Sequence, residues 1–284
     1  MHLELSIDDL PYLKTNLKKY HPEAQASRRI EAAARGLGFK SYAALLHKLK
    51  QGPTLVEISD ANFCQFLEAQ EADGTRNRSL SRSMLRIATN KILEQEPRIT
   101  ARGFDSLRPQ TNSEMKMSLE ERQAAFEERR NETTRDLEMD ELELALIYLD
   151  MQDARKTLNK DYSSYSLKHR AENLSRKQKQ YTHLGDYVSN GMLIIAAKIR
   201  GFKCKQVSYQ SPNAFFNISS KTVRATAGEP VITIGDQQKV LGPVDKRDSQ
   251  KGIDVIQDFF LGGSSDAWRF VGCGMGIDRV FAAA

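Results

Sequence analysis

Leucines at positions 10, 13 and 17 recur at the three-and-four spacing of a helix, and that period returns along most of the first two hundred residues with breaks at glycine and proline. Asp8 or Asp9 can cap this first helix, which ends at His21-Pro22. A second runs from about Glu23 to Arg35 and is stopped by Gly36 and Gly38; a third is capped by Ser41, carries Tyr42, Leu45, Leu46 and Leu49, and ends at Gly52-Pro53. Residues 1–53 therefore read as a tri-helical module. Residues 54–110 predict a short strand (Leu55, Val56, Ile58), a helix capped by Ser59 or Asp60 and broken at Asp73-Gly74, and a helix over Ser79 to Gln95 with Leu80, Met84, Ile87 and Ile92 for a core.

Arg108 to Asn112 reads as a linker, and Ser118 with Glu121 then has the form of a capping box. One long acidic helix is expected from there through the segment 111–160. Leu142, Leu146 and Leu149 share a face that Leu144, Ile147 and Met151 widen, whereas the first half is polar nearly all round, as in a projecting arm. Residues 161–284 predict a helix from Tyr165 to Ser175 and another from Gly191 to Arg200 behind Ser189-Asn190, with Gly201 as its left-handed stop. Short strands follow in KQVSY, AFFNIS and VITI, with a turn at Gly235-Asp236 before KVLG. The fold class is α+β: a helical N-terminal half, a long acidic helix, and a mixed C-terminal domain with a small antiparallel sheet.

Charge changes this picture because it is segregated. Residues 155–205 hold twelve Lys and Arg against three acids, whereas 114–153 hold thirteen acids against five Lys and Arg. The basic block suits a polyanion or an acidic protein face, unless the two blocks pair with one another in the fold. Arg78, Arg82 and Arg86 stand four apart and form a third, basic stripe, read as a solvated face. The absence of a long apolar run excludes a helical membrane span, and the start MHLELSIDDL lacks the basic and apolar regions of a secretory signal, so the chain is expected in the cytoplasm. Three cysteines far apart argue against a disulfide framework.

The second and third helices, joined by a short glycine-containing turn, have the layout of a helix-turn-helix reader of DNA. The third helix, Ser41 to Lys50, offers only Tyr42, His47, Lys48 and Lys50 as groove-reaching side chains, which favours a packing unit. Ile30–Lys40 and Leu193–Lys203 share five identities in eleven positions, a match that generic helix C-capping explains better than duplication.

SYSLKHRAE at Ser164–Glu172, YVSNGMLIIAA at Tyr187–Ala197, GFK at Gly201 and PNAFFNIS at Pro212–Ser219 together resemble a family of poorly characterised bacterial proteins carried on plasmids, integrative elements and phages. The resemblance spans roughly residues 162–220. It implies a mobile-element accessory protein, whose tasks are DNA handling, regulation or blocking host defence, and it implies no catalytic residues.

Lys168, His169 and Glu172 stand within one helical turn and would suit acid–base work if they converged in a pocket; phosphate contacts or solvated side chains are the better account on a basic helix. The five histidines show no metal-ligand spacing, and the glycines at 262, 263, 272, 274 and 276 lack the frame of a phosphate or dinucleotide loop. Phe215 and Phe216 point to opposite faces of a strand and are expected in the core, though one of them could stack on a base. The expectation is therefore a non-catalytic binding protein, without cofactor, that engages host nucleic-acid machinery; its sharpest form is an inhibitor of a defence complex of the CRISPR kind. A DNA-binding regulator using the tri-helical unit is the alternative. The partner, a nucleoprotein, a protein complex or nucleic acid, would meet Lys168, His169, Arg170, Arg176, Lys177, Lys179, Lys198, Arg200 and Lys203.

Overall fold

Leu3 and Leu5 are buried while His2 and Glu4 between them are exposed, the period-two pattern of a strand with one face on a core. In the computed structural model, which describes residues 1–68, 78–105, 109, 111–227 and the backbone of 231–233 and 269–271, this strand (β1, His2–Leu5) pairs antiparallel with β2 (Thr54–Glu57). The pairing encloses three helices: α1 (Leu10–Tyr20), α2 (Ala26–Gly36) and α3 (Tyr42–Leu49). α2 lies against α4 (Asp60–Glu68), and α1 against α5 (Ser79–Gln95), so the tri-helical module packs onto the segment that follows it. The expected break at Asp73-Gly74 lies outside the described residues.

A hairpin of two-residue strands, β3 (Ile99–Thr100) and β4 (Gly103–Phe104), leads through α6 (Asn112–Met115) to the acidic segment. The expected single long helix is two: α7 (Leu119–Glu132), with the Ser118–Glu121 capping box in place, and α8 (Asp136–Asp150). Thr133 and Thr134 separate them. Their hydroxyls bond back to the carbonyls of Arg130 and Asn131, the competition with the helical ladder that makes such residues helix interrupters. Nor does helix reach the end of segment 111–160, because β5 (Ala154–Ser163) starts four residues after α8.

α9 (Ser164–Lys177) follows β5 directly, and a 3₁₀ turn over Lys179–Leu184 leads to α10 (Asn190–Ile199), whose residues 190–197 are all buried. α8 packs on α5, α9 and α10, and Met139, Leu142, Leu144, Ala145, Leu146 and Leu149 are all buried. The acidic helix is thus a central element of the core. β6 (Cys204–Gln206), β7 (Ala214–Ile218) and β5 form an antiparallel sheet in the order β5-β7-β6, and α11 (Ser220–Ala227) follows. VITI contributes β8 (Val231–Thr233), paired antiparallel with β9 (Arg269–Val271). The expected KVLG strand, its Gly235-Asp236 turn, the C-terminal glycines and Cys273 lie outside the described residues. The α+β architecture agrees with the expectation, and no helix among the described residues is long and apolar enough to cross a membrane.

The two GFK segments have a common physical origin. Gly38 and Gly201 adopt φ of +84° and +74°, and the next residue in each, Phe39 or Phe202, bonds back to the carbonyl of Ala34 or Ala197 at 2.9 and 3.0 Å. These are the left-handed glycine and the six-to-one bond of a Schellman cap, which requires that sequence pattern without any duplication.

The arginine stripe of α5 is not solvated. Arg78, Arg82 and Arg86 face Asp140 and Glu143, Asp136 and Asp140, and Asp136 respectively, so α5 and α8 run antiparallel with cations on one matched to acids on the other. Tyr20 from α1 joins the far end, donating its hydroxyl to Asp136, and burial pushes its pKa up to about 12.

Candidate functional site

The four motif segments converge. Ser164, at the start of α9, accepts a hydrogen bond from Ala214 N at 3.0 Å and so ties the helix to the PNAFFNIS strand. Glu172, two turns along α9, accepts from Lys168 Nζ at 3.0 Å and from the amide of Val188 at 3.2 Å, while its other oxygen lies 2.6 Å from His169 Nδ1. Ser189 N donates to Glu141 of α8 at 2.8 Å. Asn190 Nδ2 bridges the carbonyls of Arg102 and Pro212 at 3.1 and 2.8 Å, and Gly191 N meets Ala101 O at 2.9 Å. Asn217 closes the far side, accepting from Lys203 N and donating to Arg155 O. Ser164, Glu172, Asn190 and Asn217 therefore each join one chain segment to another.

Gly191 is required by proximity. A β-carbon there would sit 1.9 Å from Thr100 O and 2.8 Å from Ala101 O, both backbone atoms. The hairpin β3–β4 consequently rests on the N-terminal turn of α10 at a distance only glycine permits.

The two buried carboxylates of this cluster shift in opposite directions. Burial is the largest influence on Glu172 and pushes its pKa up, but the bonds from His169, Lys168 and Val188 together with the Lys168 charge outweigh it, and the group ends below the ordinary glutamate range. Glu141 ends above that range, because burial dominates and the Ser189 amide offsets it only in part.

The nine expected contact residues fall into separate groups. Lys168 is not available to a partner: it is 6% exposed, its ammonium held by Glu172 and lying over the rings of Tyr165 and Tyr187 at 5.3 and 4.8 Å. A cation four residues before a buried acid on the same helix turns inward to meet it. Lys198 pairs with Glu96, and Arg200 grips Asp150 and donates to His2 O, so both connect elements of the fold. Arg170 lies over the Tyr162 ring and donates to Val223 O. Arg176 makes a loose exposed pair with Asp186 at 3.5 Å. Lys177, Lys179 and Lys203 are exposed and make no ion pair among the described residues. His169 is half exposed, its ring edge-on to Tyr165.

Lys168, His169 and Glu172 do converge, yet two of the three are sealed, and the described cavities lie elsewhere. One, of about 250 Å³, is lined by α1 and α2; the other, of about 350 Å³, lies between Met1, α8, Tyr181 and Arg200. Cys204 is an idle thiol, burial holding its pKa at about 11. Among the described residues no group of three His, Cys, Asp or Glu side chains is placed to hold a metal ion.

Arg155, Lys156, Lys160 and Lys205, counted in the basic block 155–205 but not among the nine expected contact residues, stand exposed on the strands β5 and β6 without ion pairs among the described residues. Phe216 is buried as expected, but Phe215 is only half-buried and pairs directly across from Lys205, placing ring and cation on one face of the sheet. On α3 the amide of Tyr42 is already bonded to the Glu31 carboxylate at 2.8 Å, so an acid stands where a recognition helix would approach phosphate. No protein-family model, characterised protein or solved structure matches the chain.

Proposed function

We propose that the protein is a non-catalytic binding protein whose partner presents a polyanion, namely the nucleic acid or nucleoprotein machinery of a bacterial host. The observation that carries this reading is the unequal pairing of charge. Asp136, Asp140 and Glu143 of α8 are engaged by the arginines of α5, and of the basic block only Arg200 pairs with an acid of this helix, Asp150, so α8 does not neutralise the block as a whole. Arg155, Lys156, Lys160, Lys203 and Lys205 remain on or beside the β5-β7-β6 sheet, with Asp153 and Asp161 as the neighbouring acids. Such an unpaired excess attracts phosphates and releases their counterions on contact.

The resemblance to mobile-element proteins gives the setting, and blockade of a host defence complex is its narrower form. A tagged pull-down from a bacterial host, with and without nuclease and read by mass spectrometry and absorbance ratio, tests both. A stoichiometric nucleic-acid-handling protein that persists after nuclease supports the inhibitor. Nucleic acid lost on digestion supports direct binding through the sheet. Recovery of neither removes the reading.

A further inference from the structure

We propose that Tyr165 and Tyr187 form a stacking site for unpaired nucleobases, so that the nucleic acid is taken as a single strand. The inference rests on the reading of the basic sheet as a polyanion surface and adds to it the form of the polyanion.

Both rings are more than half exposed, at 53% and 56%, and both are held from beneath by one ammonium, that of Lys168. Lys168 is fixed in turn by Glu172 at 3.0 Å. Tyr165 has a second support in the His169 ring, which meets it edge-on at 4.7 Å and 88°, and Glu172 holds that imidazole as well. A single exposed tyrosine needs no explanation, but two rings braced on one buried charge form an ordered aromatic surface that loses little freedom when a ligand arrives.

Position decides what that ligand is. Ser163, the last residue of β5, pairs with Phe215, which pairs across with Lys205; Tyr165 is two residues beyond Ser163. The aromatic pair therefore adjoins the end of the sheet that carries Lys205, from which Lys160 and then Lys203, Lys156 and Arg155 follow toward the opposite end. Asp186, the acid next to Tyr187, is matched by Arg176. Cations that follow a phosphate backbone, leading to rings that accept the faces of bases, are the components of single-strand recognition. A duplex keeps its base faces stacked inside and offers such rings nothing.

The test is fluorescence anisotropy of a labelled oligothymidylate and of a duplex with the same number of phosphates. Tyr165→Ala and Tyr187→Ala are each expected to weaken single-strand binding by about five- to 150-fold, the range of base–aromatic stacking, with duplex affinity and salt slope unchanged. Tyr165→Phe and Tyr187→Phe keep the rings and are expected to bind as the parent does. In the parent protein, a 5-iodouracil strand should photocrosslink to Tyr165 or Tyr187, a readout independent of how the variants fold. Parent-like binding by both alanine variants, or crosslinks confined to other residues, overturns the stacking site while leaving the basic surface standing. Loss of a captured protein partner with strand affinity intact would make the rings a protein contact and also overturn it. A parent protein that binds neither oligonucleotide removes the underlying reading and the site together.

Discussion

Arg82 grips Asp140 with two parallel hydrogen bonds, Nε to Oδ1 at 2.9 Å and Nη2 to Oδ2 at 2.7 Å. Arg78 reaches the same carboxylate at 2.9 Å, so Asp140, 8% exposed, is shared by two guanidinium groups in the seam between α5 and α8. Such bidentate pairing fixes the register of the two helices as well as holding them together.

Removing the shared acid leaves two guanidinium groups facing a seam without their carboxylate. Asp140→Ala is therefore expected to lose about 3 kcal/mol, the lower end for breaking a buried pair, and Arg82→Ala less because that side chain is partly solvated. In a double-mutant cycle read by urea denaturation, the pair should couple by about 1 kcal/mol or more. A loss below about 0.5 kcal/mol for Asp140→Ala would return the stripe to the class of ordinary surface charge.

Gly191→Ala tests the seat of the β3–β4 hairpin. The added methyl would meet the carbonyl oxygen of Thr100 at 1.9 Å, and a backbone atom cannot swing aside. The hairpin must lift, weakening the bond from Gly191 N to Ala101 O and the one from Asn190 Nδ2 to Arg102 O. A destabilisation of about 2–4 kcal/mol is expected, with faster amide exchange concentrated at residues 99–104. Unchanged exchange there would show that the contact yields cheaply.

Glu141 and Glu172 make opposite predictions for pH. The folded pKa of Glu172 is depressed, so its contribution is complete above the unfolded value and disappears as pH falls through the folded one. Glu141 is raised, so its ionised form burdens the fold at neutral pH, and the burden lifts as pH falls toward the unfolded value. Glu141→Gln, whose amide oxygen can still accept from Ser189 N, is expected to keep or gain stability at neutral pH. Glu172→Gln should lose it, because the amide faces Lys168 without a charge. Urea midpoints from about pH 4 to 7 would separate the two, and parallel profiles would refute the assignment.

Where local chemistry sets structure, the sequence was readable. The helix over Ser79 to Gln95, the Ser118–Glu121 capping box and the Gly201 stop are where their residues place them. β5 was hidden because it is an edge strand with residues 154–157 all exposed, so no alternation marks it. The interruption at Thr133-Thr134 was masked by the helical pattern on both sides. Charge blocks announced themselves, but their pairing did not: nothing in composition says that Asp136, Asp140 and Glu143 of α8 meet Arg78, Arg82 and Arg86, leaving Asp150 alone to pair with the basic block, through Arg200. Glu141 could not be told apart from the other acids of its helix, nor Lys168 from the cations around it, because each owes its place to contacts far along the chain.

That distinction among lysines yields the last prediction. Lys168→Gln removes the charge held by Glu172 and supporting Tyr165 and Tyr187, so it should act on stability and leave the salt dependence of polyanion binding as it was. Lys156, Lys160, Lys203 and Lys205 make no ion pair among the described residues, and their conversion to Gln should change stability by less than about 0.5 kcal/mol each. Each of them that touches phosphate should instead lower the slope of log affinity against log salt, by about 0.7 on a single strand or 0.9 on a duplex. Equal effects of Lys168→Gln and of the surface changes on that slope would mean that charge acts diffusely, through the net field of the protein. Separate effects place the polyanion on the β5-β7-β6 sheet.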